Sequence, residues 1–383
     1  MAENVVKEVL LIGFGAVGAV YSLILQNSGK VNLTVVARSN YDVIKNEGVH
    51  FKSEKFGEIE GWKPHRVVNS VEGAADRAYS HVFIAAKCVP EVLPNSKLVA
   101  PLLSDAYINA HYSQPAYAEA QPIYVLLQNG WNSERELYES LKALGRGEPK
   151  IVSAALYIWT NMQGANVVRH SALERIILGM YRYEDYTTTV NSPEEQVVLD
   201  DLSDILTAGG STVELVTEIQ RRKYAKNMLN INFAGYACLT RYTLMAIFRP
   251  LPSNPSQQYS PYIHPSTFNR IEEYTIPAMT SLLHELIKFA RVLGFPDGPD
   301  GIPSSMVEEA MQSTREAHAT PEAAHIPSTL LDIEKGRPIE VEVIWGELIR
   351  TAKARGVEMP RAETIYSMLL VVQNQLLRER SAR

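Results

Sequence analysis

Four groups of residues carry chemistry by their type and spacing. The first is Gly13-Phe14-Gly15-Ala16-Val17-Gly18, a GxGxxG placed directly after the apolar run Val5–Ile12. Such a turn cradles a pyrophosphate. Gly13 permits the tight turn, Gly15 leaves no side chain in the way of the phosphates, and Gly18 lets the next helix pack closely on the strand. The helix N-terminus then offers N–H groups and a positive dipole end to the anion. The second group closes the next apolar run, Val31–Ala37, with Arg38-Ser39-Asn40. A site for a free ribose 2′-hydroxyl carries Asp or Glu there. A carboxylate repels a 2′-phosphate and an arginine binds one, so the pattern selects NADPH over NADH.

The third group is the segment Arg221–Asn232, dense in Lys, Arg and Asn. At about 100° per residue, Lys226 and Asn230 lie about 40° apart and one turn along the same helix face, with Asn232 nearly opposite. A lysine with an amide one turn later presents a proton donor and a hydrogen-bond partner to one carbonyl group. Lys223 with Asn227 has the same spacing, and the residues alone leave both registers open. The fourth is Arg337–Gly346, where Pro338 suits a first helical turn. Glu340 would then share a face with Val343, Ile344 and Leu348. A carboxylate on an apolar face needs a partner, although an acid at a helix N-terminus is the plainer explanation.

The elements that must position these groups follow from periodicity. Strand, glycine turn, helix (Ala19–Gln26) and second strand fall within about thirty residues, the context a dinucleotide fingerprint requires. Further strands are expected at His81–Ala86, Ile123–Leu127, Lys150–Thr160 and Ile176–Gly179. Lys87 follows one of them and Gln128-Asn129-Gly130 another, so these polar residues belong at the carboxyl edge of the sheet, where ligands bind. Ser104–Pro122 reads as an inserted surface excursion. From Asn191-Ser192-Pro193-Glu194-Glu195 the pattern turns helical, with a cap, Pro at the first position and acids in the first turn. Helices are expected at 194–208, 217–247, 268–294, 338–355 and 361–380, with loops at Pro250–Pro265 and Ala317–Pro327. The fold expected is α/β: an N-terminal Rossmann doubly wound sheet over 1–190, then an all-helical substrate and catalytic domain over 191–383.

Composition narrows the partners. The 383 residues are 46% hydrophobic and 21% charged, with a net charge of −6 and no basic run, which gives no footprint for nucleic acid or an anionic membrane. Two distant cysteines, Cys88 and Cys238, and nine histidines without HExxH argue against a disulfide scaffold and a metal site. Val9–Leu25 carries no charge, but Glu3, Lys7 and Glu8 before it are not a basic leader, and its glycines have the better explanation above. The expectation is a cytoplasmic protein with no membrane span, monomeric or homodimeric. GxSxG, P-loop and EF-hand patterns do not occur.

Together these residues resemble the ketopantoate reductases, the 2-dehydropantoate 2-reductase family. The resemblance spans most of the chain. It rests on GFGAVG, Lys87 after a strand, Gln128-Asn129-Gly130 with Glu134, Tyr224-Ala225-Lys226, and Pro327-Ser328-Thr329-Leu330-Leu331-Asp332 with Glu340 twelve residues after Ser328. It implies an oxidoreductase of the pantothenate biosynthesis route that reduces 2-dehydropantoate with NADPH in the cleft between two domains. By resemblance, Arg38 is the 2′-phosphate ligand, Lys87 a cofactor-side lysine, and Asn129 sits beside the nicotinamide end and the substrate. Lys226 protonates the carbonyl oxygen, Asn230 and Ser328 hold substrate, and Glu340 is the acid of the site. Lys226 is favoured over Lys223 because Leu239-Thr240 stand thirteen and fourteen residues after it. One departure is clear: a second Asn belongs eight residues after the lysine, and Ala234 stands there. That keeps two alternatives open: a paralogous reductase of another 2-oxo acid or ketone, and a non-catalytic module that senses NADPH.

Overall fold

The computed structural model describes residues 6–112, 121–254 and 258–382. By its internal contacts the chain divides into two compact units. One holds residues 1–129 and 133–222, the other 130–132 and 223–383.

The first unit is built on a ten-stranded sheet in the order β4-β3-β9-β8-β7-β6-β1-β2-β5, with β10 also paired to β9. The strands are β1 Lys7–Ile12, β2 Val31–Val36, β3 Val49–Ser53, β4 Gly57–Trp62, β5 Arg66–Val68, β6 His81–Ile84, β7 Ile123–Leu126, β8 Ile151–Gln163, β9 Val167–Met180 and β10 Val213–Leu215. Only β3–β4 and β8–β9 are antiparallel. β1 lies between β2 and β6, parallel to both, and β7 runs parallel to β6. The last residues of these four strands, Ile12, Val36, Ile84 and Leu126, are in register. The segments after them therefore emerge along one edge. Strands covered on both faces read as unbroken apolar runs, which is why these four were legible. Helix α1 (Ala16–Asn27) buries Gly18 to Leu25 without interruption, so its faces carry little polar contrast.

The domain boundary differs from the one expected near residue 190. Helix α2 (Pro193–Ala208) packs on α1, β9 and β10 and stays with the sheet unit. Its start is as read from the sequence: Ser192 caps, Pro193 opens the helix, and Ser192 and Glu195 form a capping box. The division falls instead inside helix α3 (Ile219–Leu229). β3, β4, β5 and β10 were not foreseen: all are short, β4 is mostly exposed, and β3, β5 and β10 take partners distant in sequence. The segment read as a surface excursion contains a helix, Asp105–His111, capped by Ser104. Tyr107, Ile108 and Tyr112 from it are buried in the core of this unit. The rest of that segment, residues 113–120, lies outside the described residues, as do residues 255–257 of the expected loop Pro250–Pro265.

In the second unit every regular element among the described residues is helical. α3 runs on through a π-turn, Asn230–Ala234, into Gly235–Thr240. The other helices of this unit are α4 (Ile276–Val292), α5 (Met306–Ala319), α6 (Ser328–Glu334), α7 (Glu347–Ala354) and α8 (Pro360–Ser381). α5 and α6 were not expected as helices. Trp131, Tyr224, Phe289 and Phe295 make an aromatic core, with Trp131 edge-on to Tyr224 at 5.6 Å. The short segment 130–132 belongs here because Gly130 and Trp131 pack on Val343: the Trp131 N–H donates to the Val343 carbonyl at 3.0 Å. A Cβ on Gly130 (φ +94°) would sit 2.6 Å from that same oxygen.

The expected helix from residue 338 also starts later, at Val341. Gln373 of α8 explains this. Its side-chain amide accepts from the Ile339 N–H at 2.8 Å and donates to the Ile339 carbonyl at 3.0 Å. Both main-chain groups are thus engaged with a side chain, and Arg337–Glu340 stays outside the helix. Glu340 immediately precedes the first turn, and its carbonyl accepts the Ile344 N–H at 3.1 Å. The turn Glu342–Gly346 is a π-turn that leads into α7.

Candidate active site

In the sheet unit the three glycines of the turn do different things. Gly13 has φ +103°, and a Cβ there would lie 2.4 Å from the Ala86 nitrogen. A Cβ on Gly18 would lie 2.0 Å from the Gly13 carbonyl oxygen. Both are packing glycines. Gly15 is exposed, and a Cβ on it would meet nothing within 4 Å. It stands at the N-cap of α1, which has no capping side chain and no acid in its first turn. Ala16 and Val17 open the helix, half-buried. Phe14 is buried in the core, so this residue offers only its backbone to the turn's outer side. Its carbonyl accepts from Asn40 Nδ2 at 3.0 Å, and the same amide donates to Ala165 at 3.2 Å. Asn40 thereby ties the turn down, a part that residue spacing did not disclose.

Along the same edge, Arg38 is exposed beyond β2, and its guanidinium has no ion pair or hydrogen bond among the described residues. Lys87 is exposed beyond β6, and Asn129 is half-buried beyond β7. The loops that carry them are cross-linked by two amides. Gln128 Nε2 donates to the Ala86 carbonyl at 2.8 Å and to Asn95 Oδ1 at 3.0 Å, while Asn95 Nδ2 donates to Gln128 Oε1 at 2.9 Å. Asn95 escaped the sequence analysis because it sits 33 residues from its partner. Glu134 is fully buried; it accepts from Ser153 Oγ and from Gln220 Nε2 at 3.3 Å.

In the helical unit, residues far apart in sequence are brought together. α6, which begins with Ser328, packs on the π-turn that begins with Asn230, and this π-turn packs on the one at Glu342–Gly346. Two bonds fasten the latter contact: Asn227 Nδ2 to the Ile344 carbonyl at 2.8 Å and Trp345 Nε1 to the Ile231 carbonyl at 3.2 Å. Lys226 and Glu340 interact electrostatically as a result. Burial and, second to it, the like charge of Lys223 lower the Lys226 pKa from 10.5 to about 8, with Glu340 acting in the opposite direction. Glu340 is buried, whereas Lys226, Asn230 and Ser328 each reach solvent in part.

The two lysine registers differ in kind. Lys223 and Asn227 are 2% and 1% exposed. Asn227 spends its amide nitrogen on Ile344, and its Oδ1 is buried without a partner among the described residues. Lys226 and Asn230 form the more accessible pair. Asn232, on the other side, donates weakly to Met311 Sδ at 4.0 Å. From Asn230 onward the π-turn departs from 100° per residue, so the direction of buried Ala234 does not follow from α-helical phase.

A glycine turn at the carboxyl edge of a parallel sheet, with an all-helical unit carrying a half-buried lysine beside a buried carboxylate, defines the class of two-unit nicotinamide oxidoreductases. Residues 9–183 match the family described as ketopantoate reductase PanE/ApbA, and residues 267–373 match its C-terminal part. The chain belongs to the ketopantoate reductase family, whose members are oxidoreductases acting on a CH–OH/C=O group and bind NADP(H). An uncharacterized protein of Saccharomyces cerevisiae is 24% identical over 97% of this chain and 94% of its own. A 2-dehydropantoate 2-reductase of Nostoc is 21% identical, over 95% and 94% of the two chains. The crystal structure of the 2-dehydropantoate 2-reductase from Methylococcus capsulatus superposes with a TM-score of 0.69 at 20% identity, covering 96% of this chain and 97% of that one. D-mandelate dehydrogenase with NADH and anilino(oxo)acetate has the same fold, with a TM-score of 0.70 at 16% identity over 96% and 99%. Among the described residues no helix is long and apolar enough to cross a membrane.

Proposed function

We propose that the protein reduces the carbonyl of a small 2-oxo acid with NADPH, and that 2-dehydropantoate is the first substrate to try. The observation that carries this reading is the Lys226–Glu340 interaction, with Asn230 one helical turn on and the Ser328 helix against the same segment. The nicotinamide supplies the hydride when bound. Open space at Gly15 and the uncapped start of α1 suit a pyrophosphate. Arg38 would take the 2′-phosphate, with Lys87 and Asn129 further along that edge. Lys226 would donate its proton to the substrate oxygen as negative charge develops there; a pKa near 8 leaves it charged at neutral pH yet a ready acid. Glu340 would keep that ammonium in place, and Asn230 and Ser328 would hold the substrate.

Ala234 favours a second reading, a relative that acts on a different 2-oxo acid, because a buried methyl group stands where the resemblance expects an amide. One experiment addresses both. NADPH oxidation is followed with 2-dehydropantoate, with analogues lacking its 4-hydroxyl and with other 2-oxo acids, in the native protein and in Lys226→Ala and Ala234→Asn. Lys226→Ala should lower kcat by about 10²–10⁴ and leave cofactor quenching of tryptophan fluorescence intact. Under the second reading, Ala234→Asn raises the preference for 2-dehydropantoate over its deoxy analogues. Cofactor quenching with no turnover on any 2-oxo acid would overturn the enzyme reading in favour of an NADPH sensor.

A further inference from the structure

We infer that Arg249 and His318 form a buried site in the helical unit for a small anion that carries its own O–H group, such as hydrogen phosphate, bicarbonate or a 2-hydroxy acid. Arg249 directly follows the short helix Met245–Phe248 and is 2% exposed. Its guanidinium donates to the Ala323 carbonyl and, at 3.5 Å, to the Pro261 carbonyl, and it lies 5.0 Å from the centre of the Tyr259 ring. The Met245 sulfur is its other partner. All of these are neutral, and no carboxylate pairs with Arg249 among the described residues. Glu272 reaches Arg315, which lies over the Phe248 ring, and both its oxygens are taken by Arg315 at 2.8 and 2.9 Å. Arg249 Nε is buried with no hydrogen-bond partner. A buried charge without a counter-charge is costly.

His318 ends α5 and is also buried. Its Nδ1 lies 2.8 Å from the Thr314 carbonyl. A carbonyl only accepts, so Nδ1 holds the ring proton. Burial lowers the His318 pKa from 6.5, the Thr314 carbonyl opposes this, and the Arg249 charge adds to it. The ring is therefore neutral at pH 7, and Nε2 is a bare acceptor, buried without a partner. Packing brings the two residues together. The helix Met245–Phe248 packs on α5. Ala323, which holds Arg249, stands two residues before His325, whose ring is edge-on to His318 at 5.7 Å. One charged donor and one acceptor are thus left unspent. Chloride or acetate satisfies only the donor. Water satisfies both but leaves the charge uncompensated. An anion with an O–H accepts from Arg249 Nε and donates to His318 Nε2. Ala324, His325 and Ile326 are exposed, so the loop over the site is open to solvent.

The test needs no turnover and does not depend on the proposed function. The whole chain is titrated calorimetrically at neutral pH and constant ionic strength with phosphate, lactate, acetate and chloride. Phosphate or lactate should bind at least about fivefold more tightly than acetate and chloride, and the tighter of the two identifies the class of ligand. Arg249→Met should weaken that binding at least about tenfold; Arg249→Gln replaces it if the variant does not fold. His318→Phe should remove the preference for the anions with an O–H. Arg38→Ala should leave all of this unchanged, which separates the site from the glycine turn. Crystals soaked in arsenate, which keeps an O–H at neutral pH, should show an anomalous peak between Arg249 Nε and His318 Nε2. No binding of either hydroxyl-bearing anion, equal binding of chloride, or a loss caused by Arg38→Ala and not by Arg249→Met overturns the inference.

Discussion

Lys226 shows what one side chain costs its surroundings. Its pKa falls from 10.5 to about 8 chiefly through burial. One pKa unit corresponds to about 1.4 kcal/mol, so the charged lysine destabilises the folded helical unit by an amount on the order of 1–3 kcal/mol. The folded state holds its proton less tightly than the unfolded chain. The penalty is therefore complete below pH 8 and is relieved as pH rises toward 10.5. Lys226→Met should raise stability at pH 7 by about 1–3 kcal/mol, with a gain that shrinks by pH 10, as urea unfolding at the two pH values would show. A substitution that lowers stability at pH 7 would mean the lysine is well solvated or well paired. Legibility differed among the site residues. Glu340 was readable as an acid that needs a partner. The spacing of lysine to amide is the same for Lys226 and Lys223, and only the resemblance favoured Lys226; burial distinguishes the two in the fold.

At the level of elements, the glycine turn holds two packing glycines and, in the proposed reading, one that leaves room for a ligand. Gly18→Ala forces a Cβ to within 2.0 Å of the Gly13 carbonyl oxygen, which neither the strand end nor the helix can yield. A loss of about 3 kcal/mol or more is expected, of the overpacking kind. Gly15→Ala meets only open space. It should melt like the native protein and yet bind NADPH at least tenfold more weakly, because under the proposed function the methyl group would stand where the phosphates bind. Thermal melts paired with fluorescence titrations measure both. Equal melting losses in the two variants would remove the distinction. The motif was legible as three glycines with three reasons, but which reason is steric and which is functional depends on Ala86, 68 residues beyond Gly18.

For the whole molecule, a ligand that binds only the folded state stabilises it by mass action, by about 2.7 kcal/mol at a hundred times its Kd. With Arg38 as the 2′-phosphate ligand, NADPH should raise the melting temperature more than NADH at equal concentration. Arg38→Ala should remove most of that difference, about 1.5–3 kcal/mol for a charge-assisted contact, and leave the NADH shift as it was. Equal losses for both cofactors would show that Arg38 does not read the 2′-phosphate.

What the sequence determined by itself was local. Continuous apolar runs mark strands covered on both faces, and Ser192-Pro193 with Glu195 marks a helix start, because a cap needs only its own next three residues. The tertiary structure decided whatever depends on partners distant in the chain. It delayed a helix to Val341, since Gln373 takes both main-chain groups of Ile339. It moved α2 into the sheet unit, since that helix covers α1 and β9. It also set Lys226 beside Glu340 and a buried Lys223, and so decided which lysine is accessible and how strongly it acts as an acid. The strength of an acid depends on the charges and water around it, and packing, rather than the order of residues along the chain, determines both.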